Sequence, residues 1–417
     1  MRRMMRWAGG LAVLCGLLAV PALADTRGFD PVAATDAYLA SVPPEAKARS
    51  DAYFEGGYWL LLWEPLYGLA VAWVLMRFGL SSRMRNLGQR FGGKGFFGTV
   101  LYAIQYLVLA ALLSFPLTVY TDFVREHQYD LSNQGFGDWF GQLLIELAVT
   151  AVMAGLATGV LYAVIRAAPK RWWVWAAGVG VGFLVVALLL GPVFISPLFN
   201  EYKPLEPGPI RDKVLSMARA NGVPAEHVYM FDASRQSKRI SANVSGIFGT
   251  LRISLNDNLL NRSTPEEIQM VMAHELGHYV LNHVYEMLLS FSLVLLVGFA
   301  FIAWALPRVL ARWGKRWGVE EVGDPAGLPV LMALLSLYFL VATPVTNTVV
   351  RANEAEADLF GLNASGQPDG FATVALKLGE YRKLAPGPLE EFLLFDHPSG
   401  RSRILMGMRW KAEHQAP

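Results

Sequence analysis

Cysteine is almost absent from this 417-residue sequence, and its single occurrence, Cys15, lies in a short N-terminal apolar run, Trp7–Val20. Arginines precede that run and a small-residue cleavage site follows it: Arg2, Arg3, Arg6 and Ala22-Leu23-Ala24. This order is typical of a signal sequence, which we assign to residues 1–24, with an uncleaved signal anchor as the alternative. A cleaved chain would contain no cysteine, so disulfides, thiolate catalysis and cysteine-ligated zinc are excluded.

Charged residues are also scarce, since Asp, Glu, Lys and Arg make up 17% of the chain and its net charge is +2. No long basic tract is present, and nothing indicates a nucleic-acid partner. Hydrophobic residues make up 54% of the chain, and the mean hydropathy is +0.35. This composition is typical of a polytopic membrane protein.

Six apolar segments each have close to the ~20 residues that a bilayer requires. They are Tyr53–Phe78, Phe97–Tyr120, Phe140–Ile165, Trp173–Phe194, Tyr285–Leu306 and Leu328–Val350. They predict a short extramembrane segment (25–52), a membrane domain of four spans (53–199), an extramembrane domain (200–283), two further spans (284–350) and a helical C-terminal region (351–417). Glu64 and Glu146 lie within spans, where a carboxylate either faces a wet or protein interior or lies near the interface.

The extramembrane domain has mixed helix and strand patterns. Asp212–Asn221 is predicted as a helix that ends at Gly222, and His227–Phe231 as a strand. Ile240–Ile247 and Leu251–Leu255 are predicted to pair as a hairpin. A helix that leads into the fifth span then follows directly.

That helix carries His274-Glu275-Leu276-Gly277-His278. Positions four apart share one helix face, so His274 and His278 can bind one metal ion, and Glu275 can act as general base on a metal-bound water. Thr264-Pro265-Glu266-Glu267 supplies an N-cap, a first-turn proline and a capping-box carboxylate. This helix start makes a chance match less plausible, and Gly277 leaves room for a substrate or a partner strand.

A third protein ligand is expected, because catalytic zinc sites usually take three protein ligands and a water. Glu354 is the best candidate, and Asp358, one turn later, would orient a ligand imidazole. An acidic, solvated helix start has equal weight on spacing alone, and Glu356 is expected to be solvated. His283 would lie about 140° from the ligand face of a continuous helix, which indicates a structural histidine. His397 is placed to donate a hydrogen bond to a developing oxyanion.

Several motifs in one order resemble the type 1 CAAX prenyl proteases, integral-membrane zinc metallopeptidases that cut near prenylated C-termini. The resemblance covers roughly Pro116 to Arg403. It is carried by Phe115–Glu126, Ser196–Asn200, Asp232–Asn243, His274–His283, Glu354-x-x-x-Asp358 and His397-Pro398-x-x-x-x-Arg403. It implies one Zn²⁺ on His274, His278 and Glu354, with Glu275 as base.

The resemblance further implies that the strand containing Ile240, Asn243 and Val244 holds the substrate backbone, and that His397 and Arg403 line the cleft. It also implies a water-filled chamber inside the ring of helices, which Glu64 or Glu146 would face. The chain departs from the family at Ala242-Asn243-Val244-Ser245, where an aromatic residue near the substrate strand is missing.

We therefore predict a mainly α fold, a polytopic transmembrane helix bundle with a small α+β zinc-peptidase domain at one membrane face. The predicted function is zinc metalloendopeptidase, and the predicted partners are a peptide or protein substrate, with or without lipid modification, and membrane lipid. One alternative is a quality-control protease for misfolded or exported proteins without a prenyl requirement. Another is a chaperone or assembly factor with a structural metal, although such a site needs no base like Glu275.

Charge asymmetry predicts the orientation. The loops after the first, third and fifth spans are basic, with Arg83, Arg85, Arg90, Lys94, Arg166, Lys170, Arg171, Arg308, Arg312, Lys315 and Arg316. The loop after the second span is acidic, with Asp122, Glu126, Asp130 and Asp138 against Arg125. The signal sequence, which would deliver Asp25 outside, predicts the same orientation and is bacterial in style for a member of this family. We therefore expect a bacterial inner-membrane protein with its active site facing the periplasm or exterior.

Overall fold

The computed structural model describes residues 29–246 and 251–414, so the predicted signal sequence lies outside the described residues. The helices before the sheet region are α1 (Pro31–Ala40), α2 (Pro44–Arg77), α3 (Leu80–Gly92), α4 (Phe96–Thr118), α5 (Arg125–Gln128), α6 (Phe136–Ala167) and α7 (Trp172–Leu190). The helices from residue 209 onwards are α8 (Pro209–Ala220), α9 (Asp257–Arg262), α10 (Pro265–Val280), α11 (His283–Trp317), α12 (Leu328–Ser365), α13 (Pro368–Leu378), α14 (Pro388–Leu394) and α15 (Gly400–His414).

Six helices in the described residues are long and apolar enough to cross a membrane, which confirms the predicted spans. They are Pro44–Arg77, Phe96–Gln128, Phe136–Ala167, Trp172–Leu198, His283–Trp317 and Pro325–Ser365. Each begins before the apolar segment predicted for it, and all but the first also end after it, because further turns continue the helix at its ends. The chain is therefore a multi-pass helical membrane protein.

Small residues allow neighbouring spans to approach closely. A Cβ atom added to Gly159 of α6 would lie 2.7 Å from side-chain atoms of Phe96 and Val100 of α4, so a larger residue would have to displace these side chains. Membrane helices commonly pack through such small residues, since burial of apolar surface does not drive their association in lipid. Tyr102 of α4 and Tyr162 of α6 are fully buried and belong to one hydrophobic cluster.

A four-stranded sheet forms the centre of the extramembrane domain. Its strands are β1 (Tyr202–Pro204), β2 (Val228–Phe231), β3 (Ala242–Ser245) and β4 (Arg252–Asn256), in the order β1-β2-β4-β3. β3 and β4 pair antiparallel, with Asn243 opposite Ser254, which confirms the predicted pairing of these two strands. The parallel pairing of β2 with β4 is not evident from the sequence. β3 is at one edge of the sheet.

The core of this domain joins the sheet to α10, α12 and α13. Ile253, Leu255, Ile268 and Leu276 are fully or almost fully buried in it, together with Phe371. Full burial of one such side chain stabilises the fold by roughly 1.5–3 kcal/mol relative to leaving it exposed. This core therefore fixes α10 against both the sheet and the C-terminal helices.

Ion pairs show which loops share an end of the molecule. Arg239 pairs with Glu126 at 2.7 Å, and Lys238 pairs with Asp130, so the acidic loop after the second span contacts the extramembrane domain. Arg85 pairs with Asp324, which joins the loops after the first and fifth spans. The acidic loop and the α+β domain therefore lie at the same end.

Candidate metal centre

Helix α10 begins as its sequence predicts. The Thr264 hydroxyl accepts a hydrogen bond from the Glu267 amide at 3.3 Å, and the Glu267 carboxylate accepts one from the Thr264 amide at 2.8 Å. This capping box satisfies two amides that have no partner within the helix. It sets where the helix starts, and therefore which residues of α10 face α12.

Two glycines bring α10 and α12 together. A Cβ atom on Gly361 would lie 3.1 Å from the backbone nitrogen of His274, and one on Gly277 would lie 3.3 Å from the Cα of Ala357. Gly277 thus serves helix packing, whereas the sequence interpretation reserved its space for a substrate or a partner strand. The close approach places Glu354 of α12 opposite both histidines.

The side chains of His274, His278 and Glu354 converge on one point. The two Nε2 atoms are 3.1 Å apart, and the Glu354 oxygens lie 3.3 Å from His274 Nε2 and 3.5 Å from His278 Nε2. Tetrahedral zinc with ligand bonds near 2.0–2.1 Å separates its ligand atoms by about 3.3 Å. The donor set and its spacing therefore fit one metal ion with a fourth position free for water.

Behind His274 lies a buried ion pair. Asp358 Oδ1 is 2.8 Å from His274 Nδ1, and Arg403 donates to the same oxygen at 2.5 Å. Asp358 is fully buried, and Arg403 is 7% exposed. Burial alone would lower the pKa of His274, but in the metal-free protein its hydrogen bonds to Asp358 and Glu354 raise that pKa to about 10.

Glu275 lines a cavity of about 470 Å³ beside the three candidate ligands. Burial raises the pKa of Glu275 to about 7, although the nearby charge of His274 opposes that shift. A general base is most effective when its pKa is close to the working pH. The position and environment of this carboxylate therefore suit proton transfer.

The same cavity brings together most of the remaining predicted site residues. His397, Arg403 and Ile240 line it. His397 Nε2 is 3.4 Å from Glu354, and its Nδ1 is 2.8 Å from the Asp396 carboxylate. Asn243 and Val244 lie in β3 and are not among the residues that line the cavity, whereas Ala242 of the same strand is.

Sequence reasoning missed the surroundings of His278. Its Nδ1 lies 2.9 Å from Nδ1 of His283, because α10 ends at Val280 and Asn282 adopts a left-handed φ of 63° before α11 begins. His283 therefore does not lie about 140° from the ligand face, as it would on a continuous helix, but it is not part of the His274, His278 and Glu354 group and remains a structural histidine in our interpretation. Asn282 was the available signal, since asparagine is enriched at helix ends with this conformation.

A second polar cavity, of about 400 Å³, lies between the spans and the extramembrane domain. Glu146, Asp122 and Gln236 line it, and Arg239 lines both cavities. Glu146 therefore faces a polar space, as one of its two predicted environments requires. Glu64 is not among the residues that line either cavity.

Comparison with known proteins agrees with this geometry. The profile of peptidase family M48 matches residues 204–406, and that of the CAAX prenyl protease N-terminal region, with five membrane helices, matches residues 33–201. The metalloprotease YhfN of Bacillus subtilis is 29% identical over 333 residues, which are 79% of this chain and 78% of that protein. A CAAX prenyl protease 1 homolog of Arabidopsis thaliana is 27% identical over 308 residues, 72% of this chain and 71% of that protein.

The fold is shared with a solved structure. The crystal structure of S. mikatae Ste24p superposes with a TM-score of 0.74 at 21% identity, covering 90% of this chain and 94% of that one. The arrangement of membrane helices around a small α+β domain is therefore common to both chains.

Proposed function

This chain belongs to peptidase family M48 and is a multi-pass membrane metalloendopeptidase, and from that premise we propose that it uses zinc to hydrolyse peptide bonds in the cleft beside His274. The convergence of His274, His278 and Glu354, at spacings that suit tetrahedral zinc, carries the proposal. The cysteine-free site and its His, His, Glu donor set favour zinc among the divalent metals.

Each neighbouring side chain has a role in this proposal. Bound zinc would polarise the scissile carbonyl and lower the pKa of the attacking water. Glu275 takes the proton from that water and returns it to the leaving amine. His397 faces the same point from the cleft and donates to the oxyanion. Arg403 holds Asp358, which orients His274, so Arg403 acts as a positioning residue.

The edge strand β3 supplies the substrate-binding surface in our proposal. An extended peptide can add to an exposed sheet edge through main-chain hydrogen bonds. β3 contains Asn243 and Val244, and the cavity is lined by Ala242, the first residue of the strand, and by Ile240, which precedes it. A peptide paired along β3 would thus run towards Glu275 and the metal ligands.

A second candidate concerns lipid modification of the substrate. Relatives of this chain are named CAAX prenyl proteases, but Ser245 stands where an aromatic side chain would border the substrate strand. We therefore propose a protease that accepts unmodified membrane or exported proteins. Cleavage of matched farnesylated and unfarnesylated peptides tests this candidate. A strong preference for the farnesylated peptide would favour prenyl-protein processing instead.

Glu275→Gln tests the catalytic proposal as a whole. The variant should keep one zinc per chain and its unfolding temperature, but lose peptidase activity by several orders of magnitude, because only the base is removed. Glu266→Gln is the matched control, since Glu266 is exposed in the first turn of the same helix. Near wild-type cleavage by Glu275→Gln, with zinc retained, would contradict the assignment. His278→Ala should lose most of the zinc.

The proposed orientation places the metal centre on the periplasmic side of a bacterial inner membrane. It rests on the charge asymmetry of the loops and on the contact between the acidic loop and the α+β domain. Single cysteines at the exposed positions Glu206 and Lys94, in a background lacking Cys15, test it with an impermeant thiol reagent on intact spheroplasts. Labelling at position 206 alone is expected, and labelling at 94 alone would reverse the orientation.

A further inference from the structure

The second nitrogen of His278 is held by another histidine. His278 Nδ1 and His283 Nδ1 are 2.9 Å apart, within hydrogen-bond distance. His283 is 1% exposed, so water does not compete for this contact. Two neutral imidazoles can share such a bond only if one Nδ1 carries the hydrogen and the other presents a lone pair.

Metal binding decides which ring carries that hydrogen. A neutral His278 that presents the Nε2 lone pair to a metal must carry its own hydrogen on Nδ1. His278 therefore donates to His283, and His283 must carry its hydrogen on Nε2. We propose that His283 is a positioning residue, which holds His278 in the metal-binding tautomer. This inference rests on the proposed metal site.

Glu356 completes the arrangement at the surface. Its Oε2 lies 3.5 Å from His283 Nε2, and its side chain is 63% exposed. A carboxylate at this distance favours a hydrogen on Nε2 and so leaves Nδ1 of His283 free to accept. Glu356 is thus solvated, as its sequence position predicts, but it also selects the tautomer of His283.

The same proton count decides against a second metal site here. His283, Glu286 and Glu356 offer ligand atoms within 4.8 Å of one another, and His283 Nε2 is buried without a hydrogen-bond partner among the described residues. A cation on Nε2 would force the hydrogen of His283 onto Nδ1, and His278 would then have to accept it. His278 would carry its hydrogen on Nε2 and lose the metal. The outer group therefore supports the inner site and does not bind a second ion beside it.

The rate of zinc transfer to a chelator from the purified full-length protein in detergent tests this role. His283→Phe removes the acceptor and should release zinc faster, by about 10–100-fold if the whole loss of affinity that is typical of such variants appears in the release rate. His283→Gln keeps a carbonyl acceptor and should recover part of the difference. Glu356→Gln should release zinc several-fold faster than Glu286→Gln, its matched control, because Glu286 lies farther from His283.

The outcomes separate the possible failures. A folded His283→Phe variant that releases zinc at the wild-type rate would overturn the proposal. If that variant does not fold, equal rates in Glu356→Gln and Glu286→Gln would overturn it. If the His278→Ala variant keeps the wild-type zinc content, the proposed metal site is wrong, and this inference fails with it. Unfolding of the zinc-free forms shows whether a faster release reflects general destabilisation.

Discussion

The inner and outer sides of the metal group hold their histidines by different chemistry. On the inner side, His274 contacts Asp358, which is fully buried and paired with Arg403. On the outer side, His278 contacts the ring of His283, whose far nitrogen faces the exposed Glu356. The inner support is a pair of fixed charges, whereas the outer support depends on where one hydrogen lies.

This difference separates two effects that a single mutation can confuse. Removing one member of a buried ion pair leaves an uncompensated charge and destabilises the whole fold. Removing a neutral acceptor costs only the hydrogen bond and the orientation it provided. The inner side should therefore matter for stability and metal binding together, and the outer side mainly for metal binding.

The largest effect is expected from Asp358→Ala, which breaks the inner side. The variant should lose about 3–5 kcal/mol of unfolding free energy, because Arg403 is left buried without its partner. Denaturant unfolding of the zinc-free protein in detergent measures it. The double variant Asp358→Ala/Arg403→Met should recover much of the loss. Equal stabilities of the single and double variants would show that the pair is not what stabilises this region.

His397→Ala tests the cleft side of the metal group, where His397 holds neither His274 nor His278. Its kcat should fall by roughly 10²–10³, the effect of removing one oxyanion donor, with zinc release unchanged. Steady-state kinetics on a model peptide separate kcat from KM, and His227→Ala, at an exposed histidine, is the control. A change in KM alone would make His397 a binding residue.

Thr264→Ala should give the smallest effect. It shows how far a general destabilisation of α10 changes the rate of zinc release. Loss of the N-cap should cost about 1 kcal/mol of stability, and the amide of Glu267 would turn to water instead. Because this cap is at the far end of α10, zinc release should keep the wild-type rate after correction for unfolding. A faster release would mean that any destabilisation of α10 mimics loss of His283.

Patterns that are local in the chain predicted local structure well. The capping box at Thr264, the pairing of β3 with β4 and the six membrane-spanning helices all have the form expected from the sequence. The short strand β1 was missed because Tyr202–Pro204 has too few residues to show alternation. The pairing of β2 with β4 was missed because parallel neighbours are distant in sequence.

Spacing along one helix was sufficient to place His274, Glu275 and His278 together as candidates, and it was not sufficient to place their partners. Glu354 was a candidate third ligand. It reaches the histidines because its helix, α12, packs closely against α10 at Gly361. The position of His283 beside His278 could not be predicted from spacing, because the helix ends at Val280 and Asn282 adopts a left-handed conformation that redirects the chain.

The sequence by itself therefore determined the class of this protein. Helical period, apolar length and the order of His, Glu and His depend on neighbouring residues, and they specify a membrane-spanning metallopeptidase. Only the tertiary structure decided how the ligands are supported. Asp358 with Arg403 and His283 with Glu356 meet the two histidines across helix contacts and a helix break. Such contacts depend on packing between elements that no local pattern records.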